Sequence, residues 1–397
     1  MLSRFNKLNC KAMRNNILLL LLLCVASPLF AQRRTEEIQS AKLKETRHIT
    51  VALPPSYDSS PNKKFPLLIL LDGDYLLDPF AGTLSYATYW MDLPEVVIVG
   101  INQNDKGERD FDSYSGEETG LPEGKGEMFY EFIGMELIPY LESKYRVAPF
   151  RIIAGHGLTA GYLNFFLYKD KPLFNAFISL SPEFATEMET RVPLRLKVMQ
   201  KPIFYYLATA DGDVSRIRKK IQTLDEGIKA VENPLLRYRF DDFKGESHYS
   251  LVPSGIPRAL YHIFSYYKPI SPSEYTEKLV TLPSGYVKYV EDKYDLNEKE
   301  LGIKMQVRIN DFKAAEAAIV KNGAFDELKD LAKLARSNYP DTLLGEYYDA
   351  IYEEKQGNLK KAIKIYTNSY SYAEIGDLTR EFMLEKAEEL KSKLEEK

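Results

Sequence analysis

Only two cysteines, Cys10 and Cys24, occur in 397 residues, and both fall within the first 31 positions. Beyond that stretch the chain can form neither a disulfide nor a thiolate metal site. Histidine is nearly as scarce: His48, His156, His248 and His262 match no zinc-ligand spacing, so no metal and no other cofactor is expected. No patch rich in lysine or arginine is present to neutralise phosphates, which argues against a nucleic-acid partner. Past the first 31 residues, no apolar run approaches the roughly 20 residues that a membrane-spanning helix requires.

The opening stretch has its own texture. Arg4, Lys7, Lys11 and Arg14 precede an apolar run over 17–25, followed by Ala26-Ser27-Pro28-Leu29-Phe30-Ala31. A basic start, a short apolar centre and small residues before a cleavage point make a secretory signal peptide over 1–31. The expectation is an exported protein, periplasmic or extracellular. Leu23 stands where lipid attachment at Cys24 would want a small residue, so a lipid anchor is not expected. Without the four leader basics, 49 basic face 57 acidic side chains, a net charge of −8.

What is present is patterned. Short β-branched apolar runs at 48–53, 66–71, 96–101, 151–154, 176–181, 203–209 and 236–240 alternate with amphipathic stretches such as 128–144 and 216–231. That alternation predicts an α/β architecture with a mostly parallel sheet covered on both faces, over 32–274. Pro269, Pro272 and Pro283 then punctuate an expected linker, 275–310. From 311 to 397 the texture is helical, and Ala350, Gly357, Asn358, Ala362 and Tyr366 fall at the small, turn and aromatic positions of a tetratricopeptide-like hairpin. One hairpin cannot bury its own face, so the stretches 314–337 and 378–394 are its expected packing partners. Such a tail suits either docking of a protein partner or service as a lid or cap on the α/β unit.

The segment with chemical meaning is Gly155-His156-Gly157-Leu158-Thr159-Ala160-Gly161, which follows the strand at 151–154 and opens an apolar helix at 162–168. A sharp strand-to-helix turn with small flanking residues is a nucleophile elbow. Its middle position should carry Ser, Cys or Asp, and here it carries Gly157. Without a side chain no acyl-enzyme can form by the usual route. Glycine adopts strained turn conformations freely, so the bend itself should persist.

These residues resemble the esterase family of α/β-hydrolases that includes enterochelin esterases, feruloyl esterases and esterase D relatives. The likeness spans about residues 45–268. It rests on Leu53-Pro54-Pro55-Ser56-Tyr57, Leu70-Leu71-Asp72-Gly73-Asp74, Val99-Gly100-Ile101, Arg109-Asp110, Glu136-Leu137-Ile138-Pro139-Tyr140, the elbow, and Gly245-Glu246-Ser247-His248. The family reads Gly-His-Ser-x-Gly-Gly at the elbow, so Gly157 and the Leu158-Thr159-Ala160 that follow depart from it. The resemblance implies an α/β-hydrolase fold with His248 as the catalytic histidine. It implies an acid after the strand at 203–209, where Asp211 and Asp213 are both available. It also implies an oxyanion hole built from the backbone amides of Leu158 and of the loop at Asp74. Thr159 and Ser250 are the nearby hydroxyls, and neither is placed by spacing to replace the missing serine.

Two functions follow as expectations. One is a hydrolase-like protein that binds a small ester or glycan, or a protein partner through its tail, without catalysis. The other is an active carboxylic-ester hydrolase acting on esters, acylated sugars or siderophores through a non-standard nucleophile or water.

Overall fold

The computed structural model describes residues 33–104 and 106–395, so the expected leader 1–31 lies outside it. Eight strands form a single sheet: β1 (Arg33–Ser40), β2 (Glu45–Ala52), β3 (Phe65–Leu70), β4 (Val97–Ile101), β5 (Val147–His156), β6 (Ala176–Leu180), β7 (Ile203–Gly212) and β8 (Leu236–Ser247). Their spatial order is β1-β2-β4-β3-β5-β6-β7-β8. The β1–β2 and β2–β4 pairs are antiparallel, and all others are parallel. This is the doubly covered, mostly parallel sheet that the apolar runs predict. β3 (FPLLIL), β4 (VIVGI) and β6 (AFISL) are buried at every residue, as strands covered on both faces must be.

Alternation along each strand decides which residue serves which face. Leu67 and Ile69 of β3 join one core with Val99, Ile153, Phe177 and Leu207, whereas Leu68 and Leu70 join the other with Ile98, Ile152, Ile178 and Tyr206. The elements that follow supply the covering layers: α1 (Gly73–Tyr89), α2 (Glu108–Asp112), α3 (Lys125–Glu131), a π-helical stretch (Phe132–Leu137), α4 (Ile138–Lys144), α5 (Leu158–Tyr162), α6 (Met188–Lys197), α7 (Ser215–Lys229) and α8 (Leu251–Ile263). α3, α4, α6 and α7 close the first core, through Phe129, Leu141, Val192 and Leu224, among others. α1 and α8 close the second, through Phe80, Leu84, Ile256 and Leu260. Each such side chain contributes about 1.5–3 kcal/mol by leaving water.

Two elements escape a pattern reading. β1 (RRTEEIQS) is an edge strand with only Ile38 and Ser40 buried, so its polar sequence carries no strand signal. α1 contains Pro79 and Gly82, which dilute helical periodicity.

The C-terminal part is helical: α9 (Pro272–Glu277), α10 (Tyr286–Leu301), α11 (Ile309–Asn322), α12 (Glu327–Asn338), α13 (Leu343–Lys355), α14 (Leu359–Asn368) and α15 (Arg380–Glu395). α13 and α14 form the expected hairpin. Ala350 and Ala362 are fully buried between helices, Gly357 turns the chain at φ +79°, and Tyr366 fills the gap. The expected linker 275–310 differs from what is observed, because α10 occupies much of it. Tyr286, Val287 and Val290 of α10 are buried in the same cluster as Leu331, Leu344 and Tyr348. The prolines punctuate the entry to this helix and leave its interior free.

The helical part meets the sheet away from the strand ends that carry the elbow. Leu301 and Ile303 enter the second core, Glu300 pairs with Arg237 at 3.6 Å, and Arg237 lies at the start of β8. Arg308 donates to the carbonyl of Met91 at 2.9 Å and lies over the Tyr267 ring. The tail is therefore packed against the α/β unit as a cap and does not form a lid over the elbow.

Candidate active site

The site is assembled from residues just past the C-terminal ends of parallel strands, where backbone turns leave the sheet and side chains converge. Gly157 sits between β5 and α5 at φ +61°, ψ −119°. Its N–H donates to Leu180 at 3.0 Å, and its carbonyl accepts from Gly161 at 3.1 Å and from Glu183 at 2.9 Å. The bend is thus held by backbone bonds that need no side chain at the apex. A residue with a Cβ would bear about 1–3 kcal/mol of strain here, and glycine bears little. Gly161 is needed for another reason: a Cβ there would stand 1.8 Å from the Glu183 carbonyl oxygen.

A Cβ built on Gly157 would stand 3.5 Å from His248 Nε2, 3.6 Å from Arg109 Nη2 and 3.7 Å from Glu183 Oε1. All are ordinary contact distances. A hydroxyl one bond further out would come within hydrogen-bonding reach of His248.

His248 is held from behind. Its Nδ1 lies 2.8 Å from Asp213 Oδ1 and 3.0 Å from Ser181 Oγ, while Ser181 itself donates to Asp213 at 2.6 Å. Asp213 also accepts from Thr209 Oγ1 at 2.7 Å and from the Ala210 N–H at 3.0 Å. Burial pushes the Asp213 carboxyl up, but the bonds from His248, Ser181, Thr209 and Ala210 outweigh it and hold the group well below the usual carboxylate range. An ionised Asp213 fixes the imidazole proton on Nδ1 and turns the Nε2 lone pair toward Gly157. Of the two acids that sequence leaves open, Asp213 meets His248. Asp211 accepts from the Gly245 N–H at 3.0 Å and ties the end of β7 to the end of β8.

The other expected hydroxyls are engaged elsewhere. Thr159 Oγ1 donates to Asp72 at 2.6 Å, and Ser250 Oγ accepts from the Ser247 N–H at 2.8 Å. Ser181 is buried on the Nδ1 side of the imidazole, away from the Nε2 that faces Gly157. Leu158 and Asp74 occupy the first turns of α5 and α1, where backbone N–H groups have no intrahelical acceptor. The Asp74 carboxylate is occupied by the Gln103 N–H at 2.8 Å and by Asn104.

Opposite His248 lies a network that sequence reasoning missed. Arg109 donates to Asp72 through Nε at 2.6 Å and Nη2 at 3.1 Å, and to the His156 carbonyl at 2.9 Å. Burial alone would lower the Arg109 pKa, and the Asp72 carboxylate more than offsets it, so the guanidinium is held firmly charged. Asp72 is fully buried. His156 Nε2 contacts the His248 carbonyl at 2.9 Å, and its Nδ1 lies 3.2 Å from the Tyr75 hydroxyl. Because a carbonyl only accepts, Nε2 carries the His156 proton. Burial and the adjacent His248 lower its pKa to about 4, so the ring is neutral at pH 7. The available signal was positional: Asp72, Gly157, Glu183, Asp213 and His248 all follow the end of a strand.

Together Tyr75, Asn104, Arg109, His156, Gly157, Glu183, His248 and Tyr249 line a cleft of about 400 Å³. A larger groove of about 560 Å³ lies in the helical part, but it lacks this convergence of acid, base and elbow. Among the described residues no group of three or more His, Cys, Asp or Glu is placed to hold a metal. Nor is any helix there long and apolar enough to cross a membrane.

A strand-ending glycine elbow faced by an Asp–His pair, on a mostly parallel eight-stranded sheet, is the arrangement of an α/β-hydrolase fold. The family described as "Putative esterase" matches residues 40–199. The chain is 26% identical over 248 residues to ferri-bacillibactin esterase BesA of Bacillus subtilis (strain 168), an alignment covering 54% of this chain and 83% of that protein. An uncharacterised protein from Capnocytophaga ochracea DSM 7271 is 29% identical with a TM-score of 0.82, covering 91% of this chain and 100% of the other. Its whole length thus superposes on the α/β unit and helical tail together. An IroE-like serine hydrolase from Shewanella oneidensis shares the fold at 22% identity and a TM-score of 0.57, covering 76% of this chain and 98% of that one.

Proposed function

We propose that this protein is an exported esterase-family member that binds a small ester or glycan in the cleft above Gly157 without cleaving it through an acyl-enzyme. One observation carries the reading. The Asp213–His248 pair is aimed at a point 3.5 Å from its Nε2 where the chain has only a Cα hydrogen. Thr159, Ser181 and Ser250 are bound elsewhere, so none of the three is positioned to take the serine's place. Export is supported by the order of residues 1–31, a basic start, a short apolar centre and small residues at its end. The helical groove lined by Ile309, Leu344, Tyr347, Leu378 and Phe382 is a candidate docking place for a protein partner.

A fluorophosphonate probe and p-nitrophenyl acetate test the reading directly. The wild-type chain is expected to take up no label and to turn over ester no faster than the His248→Ala variant. The second reading, hydrolysis by water activated at His248, is favoured by the intact Asp213–His248 pair. Turnover without labelling that disappears in His248→Ala would establish it in place of the first.

A further inference from the structure

The chemistry of the cleft wall narrows the ligand beyond "a small ester". Among the residues that line the cleft, Arg109 carries the only permanent positive charge, and Glu183 is the only carboxylate. The two are not equivalent. Arg109 is gripped by the fully buried Asp72 through two hydrogen bonds, and a third goes to the His156 carbonyl. Its charge is cancelled inside the wall. Glu183 is exposed, and no other described residue engages its carboxylate by hydrogen bond or ion pair. Its Oε1 lies 3.7 Å from the Cβ position over Gly157. Behind His248 stands a second, buried negative charge on Asp213.

Aromatic faces complete the rim. Tyr75 is 42% and Tyr249 77% exposed, and Tyr249 packs edge-on to both His248 and His156. Carboxylate plus exposed aromatic rings, with the local cation already neutralised, is the recognition chemistry of an ammonium group. An anionic ligand would meet Glu183 and Asp213 with no free cation in return.

We infer that the cleft selects a cationic, ammonium-bearing ester, with Glu183 and the Tyr75 and Tyr249 rings holding the ammonium beside Gly157. This rests on the ligand-binding reading above. One exposed ion pair and one or two cation–π contacts together favour the cation by about five- to tenfold over a neutral isostere.

The test is titration calorimetry of the full chain with three probes: acetylcholine, its neutral isostere 3,3-dimethylbutyl acetate, and monoethyl succinate as the anion. Acetylcholine is expected to bind five- to tenfold tighter than the isostere by that reckoning, with monoethyl succinate weakest. Glu183→Gln and Tyr249→Ala should each reduce the preference, Glu183→Gln the more. Equal binding of acetylcholine and its isostere, or tighter binding of monoethyl succinate, overturns the inference. Binding of none of the three also overturns it, and the Gly157→Ser variant separates the causes. If that variant takes up a fluorophosphonate, the cleft reading stands and only the charge preference falls. If it does not, both fall.

Discussion

The two walls of the cleft are built differently. On the β7–β8 side, Asp213, His248, Ser181 and Thr209 form a satisfied network that fixes a base in orientation and tautomer. On the β5 side the elbow has its backbone bonds, its positive φ and the close approach at Gly161, with Gly157 and no side chain at its apex. The contrast teaches that an elbow is two things, a backbone shape and a side chain. The first is specified by neighbours and stands here without the second.

The strongest way to break the contrast is to restore the oxygen. Gly157→Ser is expected to raise p-nitrophenyl acetate turnover by about 10³-fold over the wild type, short of the roughly 10⁶ that a complete triad nucleophile is worth. Adding His248→Ala should return it to background. A folded Gly157→Ser chain with no gain would mean that the β7–β8 wall is less intact than its geometry indicates.

Attacking the shape comes next. Gly161→Ala forces a Cβ against the Glu183 carbonyl and should destabilise the chain by about 3 kcal/mol, read as a lowered urea midpoint. An unchanged midpoint would show that the loop at Glu183 yields freely and does not hold the bend.

His156 joins the two walls and gives a pH signature. It is buried and neutral with a folded pKa of about 4, while an unfolded histidine titrates near 6.5. Between those values the unfolded chain takes up a proton that the folded chain refuses. Its contribution is therefore fully present above about pH 6.5 and lost as pH falls toward 4, by on the order of 3 kcal/mol. Urea midpoints of the wild type should fall more steeply across that window than those of His156→Gln. Parallel curves would remove His156 from the account.

The smallest expected effect is Asp213→Asn, about 1–3 kcal/mol from a buried hydrogen-bond network left partly unsatisfied. Because the folded Asp213 carboxyl titrates below its unfolded value, its stabilisation is present above about pH 4 and is lost in more acidic solution. The difference between Asp213→Asn and the wild type, followed by urea titration, should therefore shrink as pH drops below 4.

Sequence by itself determined seven of the eight sheet strands, the helical tail and its Ala350/Ala362 hairpin, the elbow with Gly157 at its apex, and His248. Each is local: apolar runs, small residues and turn residues act within a few positions, so order along the chain suffices. The choice of Asp213 over Asp211, the service of Ser181, Tyr75, His156 and Glu183, the burial of Arg109 against Asp72, and the seating of the tail away from the cleft were decided only in three dimensions. Asp211 and Asp213 stand two residues apart in one turn, and nothing in their spacing says which carboxylate meets an imidazole 35 positions on. The polar edge strand β1 was invisible for the same reason: its partner, β2, supplies the ladder that its own residues do not announce.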